Sequence, residues 1–81
     1  MPGHVYVLVF SPDGRTLVGA GQDEKIYLWD PVTGSQRAVI DGHVSDIDTL
    51  AFSPDGRTFA SGSADGTILI WDLATVEATY K

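Results

Sequence analysis

The chain writes one stretch of sequence twice. Phe10-Ser11-Pro12-Asp13-Gly14-Arg15-Thr16 returns as Phe52-Ser53-Pro54-Asp55-Gly56-Arg57-Thr58, and Trp29-Asp30 returns as Trp71-Asp72, both at an offset of 42 residues. Aligning Val5–Val39 on Ile47–Lys81 gives 13 identities in 35 positions. They fall on turn residues and large apolar residues, where a fold constrains its sequence most. A repeat of this length marks an array of similar units, each needing a neighbour to cover its apolar face.

Each unit reads as four short strands. The first, Val5–Phe10 or Ile47–Phe52, is apolar and rich in β-branched residues. Ser-Pro-Asp-Gly then forms a hairpin, in which Pro presets φ, Asp caps the turn and Gly takes positive φ. The second strand is Thr16–Ala20 or Thr58–Gly62. The third, after a tight turn at Asp23 or Asp65, is Ile26–Trp29 or Ile68–Trp71. The fourth is Gln36–Ile40 or Glu77–Tyr80. No segment sustains a helical apolar period, so the class is all-β, with units 1–40 and 41–81. Val76 stands where the first unit has Gly34. A β-branched residue resists positive φ, so that last turn should differ from its counterpart and be looser.

Gly42-His43, Phe52-Ser53-Pro54-Asp55-Gly56, Ser61-Gly62-Ser63, Asp65 and Trp71-Asp72 resemble the WD40 repeat of β-propellers, whose units have about 40–45 residues and carry Gly-His and Trp-Asp marks. The resemblance implies two four-stranded antiparallel blades. It also implies a hydrogen-bonded tetrad that fixes each blade: His43, Ser61, Asp65 and Trp71. The first unit departs from this pattern. Gly19 replaces the Ser, and His4 precedes Phe10 by three residues too few, leaving a partial set of Asp23 and Trp29. A Ser-His-Asp set could suggest a hydrolase. A nucleophile must instead be exposed beside an oxyanion site, and this Ser would lie under the next blade.

Two blades share one interface and leave two faces wet, among them parts of Phe10, Leu17, Ile26, Leu28, Phe52, Phe59, Ile68 and Ile70. Homo-oligomerisation is the expected remedy, with the second blade of one chain packing on the first blade of the next. Two blades per chain require an even total. Eight blades from a homotetramer are preferred, with six blades from a homotrimer second. The expectation is thus a propeller completed between chains.

Net charge is −6, which repels phosphate backbones and argues against nucleic-acid partners. No apolar run approaches the roughly 18 residues of a membrane span. There are no cysteines, and no secretory pattern opens the chain, so a cytoplasmic location is expected. The acidic residues are scattered beside Gly and Pro, which reads as turn chemistry first and as a shared metal or catalytic cluster second. No phosphate loop or cofactor motif occurs, so no catalytic, cofactor or metal residue is assigned. Asp46 and Asp48 are the candidates for contacts at the channel mouth. Gln22 and Ala64 match positions that the family uses for peptide contact. The expected function is a non-enzymatic scaffold or protein-binding module that self-assembles. One alternative is a designed or excised propeller fragment with oligomerisation as its only property. An enzyme with a site at the ring mouth is the least supported, since no nucleophile, base and oxyanion donor fall together.

Overall fold

A computed structural model describes residues 4–21, 23–41 and 45–79. The first sheet is antiparallel, in the order β1 (Val5–Phe10), β2 (Leu17–Gly21), β3 (Lys25–Trp29), β4 (Gln36–Asp41). The second has three described strands, β5 (Ile47–Phe52), β6 (Thr58–Ser63) and β7 (Ile68–Asp72). A short helix, α1 (Leu73–Thr79), follows β7 directly.

The β1–β2 and β5–β6 hairpins are copies at atomic detail. Ser11 Oγ donates to Asp13 Oδ1 at 2.6 Å, and Ser53 Oγ to Asp55 Oδ1 at 2.6 Å. The same carboxylates accept the Arg15 and Arg57 amides, both at 3.0 Å. Gly14 and Gly56 each have φ of 73°, a conformation in which any side chain is strained. The serine hydroxyl and the following amides hold each carboxyl below the usual carboxylate range.

The sheets pack face to face. Val18, Ala20, Ile26, Leu28, Ala38 and Ile40 of the first meet Ile47, Leu50 and Phe59 of the second, with Val76 of α1, in one buried cluster. Strand alternation decides who enters it, because residues two apart share a face. Ile26, Leu28 and Phe59 were expected to be partly stranded, yet they are almost wholly covered. Their neighbours on the opposite faces are not. Phe10 is 58% exposed, Ile68 71% and Ile70 68%.

Two expectations are corrected. The fourth strand expected over Glu77–Tyr80 does not form; residues through Thr79 are helical, and Tyr80 lies outside the described residues. The cause lies in the turn. After β3, Gly34 takes φ of 77° and donates its amide to Asp30 O at 2.8 Å, while Asp30 N donates to Ser35 O at 2.8 Å. That reverses the chain into β4. Val76 cannot take the same φ cheaply. Instead, Asp72 Oδ1 accepts the Thr75 amide at 3.0 Å as a helix N-cap. The Ala- and Leu-containing segment continues as a helix and buries Val76 in the core. The second correction concerns closure. The chain forms an open pair of sheets, one of four described strands and one of three, rather than a closed propeller built from several chains. Its single interface leaves both outer faces uncovered.

Candidate protein-interaction surface

The second sheet holds part of the expected tetrad. Ser61 and Trp71 lie diagonally across β6 and β7, and Trp71 Nε1 donates to Ser61 Oγ at 2.9 Å. Ser61 is fully buried, so this bond satisfies two polar groups away from water. Asp65 Oδ1 accepts the Thr67 amide at 2.9 Å and the Thr67 hydroxyl at 2.6 Å, which tightens the β6–β7 turn. His43 lies outside the described residues.

The first sheet solves the same packing problem differently. A Cβ at Gly19 would stand 2.6 Å from Trp29 Cζ3 and 2.8 Å from Leu8 Cδ2. The indole ring therefore occupies the space that a serine side chain would need. Trp29 stacks on Tyr27, with centroids 5.7 Å apart and rings 8° from parallel. Tyr27 donates its hydroxyl to Asp23 Oδ2 at 2.5 Å. This bond to a carboxylate, together with burial, pushes the phenol pKa up to about 12. Sequence reasoning missed Tyr27. The available signal was a paired change at the 42-residue offset: Gly19 for Ser61 together with Tyr27 for Leu69.

The rim residues fall into two groups. Asp46 and Ala64 come together, as Ala64 N donates to Asp46 O at 2.9 Å. Ser63 Oγ donates to the same carbonyl at 3.1 Å, and Tyr6 Oη reaches Asp46 Oδ2 from the first sheet at 3.4 Å. Asp48 lies exposed on β5. Gln22 lies outside the described residues. Among the described residues, no group of three or more His, Cys, Asp or Glu side chains is placed to hold a metal ion. No described helix is long and apolar enough to cross a membrane.

The largest surface feature is the pair of uncovered faces. On the first sheet, Tyr6, Leu8 and Phe10 project from β1 and are about half exposed. On the second, Ile68 and Ile70 project from β7. At the 42-residue offset, Leu8 and Phe10 correspond to Leu50 and Phe52, and Ile68 and Ile70 to Ile26 and Leu28. Those counterparts are the residues that join the two sheets of this chain. Each open face thus has the shape and chemistry of one side of an interface already made.

The family described as WD domain, G-beta repeat (WD40) matches residues 1–30 and 34–72. The solved "Structure of U3-55K" superposes with a TM-score of 0.86 at 32% identity, covering 91% of this chain and 25% of that one. The chain therefore spans about a quarter of that protein's length. No curated protein sequence matches. The expected cytoplasmic location is withdrawn, because neither the fold nor this likeness supports it. Two repeat matches, two blade-like sheets and a close superposition agree: the chain belongs to the WD40-repeat family of β-propeller proteins.

Proposed function

We propose that the chain acts as an interaction module that docks protein partners through its two open sheet faces and the acidic rim beside them. The observation that carries this reading is the exposure of Leu8, Phe10, Ile68 and Ile70, whose counterparts bury the interface between the sheets. An apolar patch rimmed by polar residues is typical of a docking surface. Asp46, Asp48, Gln22 and Ala64 are the proposed rim contacts, and the carboxylates suit a basic peptide. The His43, Ser61, Asp65 and Trp71 network is proposed as the element that keeps the second blade rigid beneath that rim, within units 1–40 and 41–81. A peptide-library selection on the immobilised chain tests the reading. Basic peptides should be enriched, and the enrichment should vanish when Asp46 and Asp48 become Asn. Selection that ignores those two substitutions, or none at all, counts against the rim.

The same faces support a second reading, that of a propeller fragment whose property in isolation is self-association. Leu8→Asp and Ile70→Asp each place a charge on one face. Light scattering should then show a mass that rises with concentration in the parent chain and falls to a monomer in either variant. A monomeric parent would remove this reading and leave the first intact.

A further inference from the structure

The two sheets differ at one edge. In the first sheet, β4 pairs with β3, with Tyr27 opposite Val39 and Ile26 opposite Ile40. The register shifts between Leu28 and Trp29, so Arg37 is the extra residue of a bulge, and a bulge re-aims its side chain. Arg37 Nη1 donates to Thr16 Oγ1 at 3.0 Å and Nη2 donates to Asp30 Oδ2 at 3.2 Å. The other oxygen, Asp30 Oδ1, is already used by the turn, accepting the Val32 amide at 2.8 Å. The fourth strand is thus fixed by a backbone ladder and by one arginine seated between a threonine and an aspartate, with Glu77 of α1 at 3.9 Å from Nη1.

The second sheet repeats this seat without its occupant. β7 ends the sheet among the described residues. Thr58 and Asp72, the counterparts of Thr16 and Asp30, lie directly opposite each other on β6 and β7. Asp72 Oδ1 is engaged by the Thr75 amide, as Asp30 Oδ1 is by Val32; the Thr75 hydroxyl and the Arg57 charge also act on the carboxylate, but among the described residues no cation lies within ion-pair distance of it. Thr79 stands where Arg37 would be and is carried away in α1. An open cleft of about 340 Å³ lies on the Asp72 side of this pair, between Gly56, Arg57, Asp72, Leu73, Ala74 and Glu77. Arg57 acts on Asp72 through its charge without coming within ion-pair distance, so an incoming guanidinium would share the carboxylate with it.

We propose that the β7 edge binds an extended segment of another protein by strand addition, with an arginine of that segment seated on Thr58 and Asp72. The sequence pattern it takes is arginine, small residue, any residue, aliphatic residue, after Arg37, Ala38 and Ile40 of β4. The small and aliphatic residues would lie over Ile70 and Ile68, covering side chains now exposed. The chain's net charge of −6 favours a basic partner. Main-chain hydrogen bonds supply affinity in this mode, and side-chain seats supply specificity. The proposal rests on the reading of the chain as a protein-interaction module and assigns that module a site apart from the rim.

The probe is a blocked peptide with the sequence of residues 35–41, titrated into the full chain by calorimetry, with amide hydrogen exchange to locate it. Saturable binding with slowed exchange in β7 is expected. Asp72→Asn keeps a good helix cap, so the fold is preserved while the seat loses its charge. Loss of one charge-assisted hydrogen bond weakens binding about tenfold. Replacing the peptide arginine by glutamine should do the same, and doing both should cost little more than either alone. N-methylation of alternate peptide amides should abolish binding. No binding, binding indifferent to N-methylation, protection confined to β1 and β5, or occupation of the edge by a second copy of the chain would each overturn the proposal. If peptides are still selected at Asp46 and Asp48 while this probe fails, the edge site falls and the module reading survives.

Discussion

Gly19→Ser restores the residue that the second sheet carries at Ser61, and resemblance alone would expect it to stabilise the first sheet. The packing demands the opposite. A Cβ at position 19 would lie 2.6 Å from Trp29 Cζ3, 2.8 Å from Leu8 Cδ2 and 3.0 Å from Trp29 Cη2. Separations under about 3 Å are not tolerated, so the indole must move. It is held on one side by Tyr27, which is only 7% exposed and is tied through its hydroxyl to Asp23. Overpacking of this kind costs about 1–3 kcal/mol. Loss of the aromatic stack costs about 0.5–1.5 kcal/mol more if the ring swings outward. Removing a strand glycine returns about 0.5–1 kcal/mol. The net is a destabilisation of about 1–3 kcal/mol. At about 4–8 °C per kcal/mol for a chain of this size, the thermal midpoint should fall by roughly 4 °C or more. Urea unfolding followed by tryptophan fluorescence, at one fixed protein concentration, reads the change directly. A lower midpoint with an unchanged slope is expected. An equal or higher midpoint would refute the reasoning, because Trp29 would then accommodate the serine without strain. The reciprocal change, Ser61→Gly, should also destabilise, because it removes the acceptor of the Trp71 indole.

Three further outcomes follow from the same contacts. Tyr27 ionises near pH 12 in the folded chain against about 10 when unfolded. Its bond to Asp23 therefore contributes fully below pH 10 and is lost as pH rises from 10 to 12; ultraviolet titration should show a late-titrating phenol that Tyr27→Phe removes. Asp13 and Asp55 have depressed carboxyl pKa values, caused first by the Ser11 and Ser53 hydroxyls. Their contribution is present above the unfolded pKa near 4 and is lost as pH falls through the lower folded values, so Asp13→Asn with Asp55→Asn should flatten the acid limb of the stability curve. Glu24 has φ of 68°, whereas its counterpart Gly66 takes φ of 90°. Glu24→Gly relieves a left-handed side-chain residue worth about 1 kcal/mol, and a raised urea midpoint checks it.

Much of the fold was legible because turns are local. Ser11-Pro12-Asp13-Gly14 and its copy specify their hairpins through bonds within five residues, and the strands on either side fall close to where the repeat placed them. The Gly34 and Val76 contrast was legible as a difference in the turn. Its outcome, a helix in place of a strand, was not. That choice depended on the Asp72 cap and on a site in the core that accepts Val76, and neither is encoded by spacing. At the candidate site, the residue types were readable and their partners were not. Asp23 and Trp29 were singled out, but Tyr27 was not, because its role appears only when β2 and β3 are paired and Gly19 is seen beneath the indole ring.

The sequence by itself determined the unit, its family and the inequality of its two copies, since repetition, turn chemistry and strand alternation act over short distances. Tertiary structure decided which apolar residues are covered, how the first sheet compensates for its missing serine, and that β7 is the last strand of the second sheet among the described residues. Those outcomes depend on which face meets which and on what space is left between side chains far apart in the chain. The β7 edge, open among the described residues, and the arginine seat proposed on Thr58 and Asp72 belong to this second kind, because the seat is defined by its occupied twin in the neighbouring sheet.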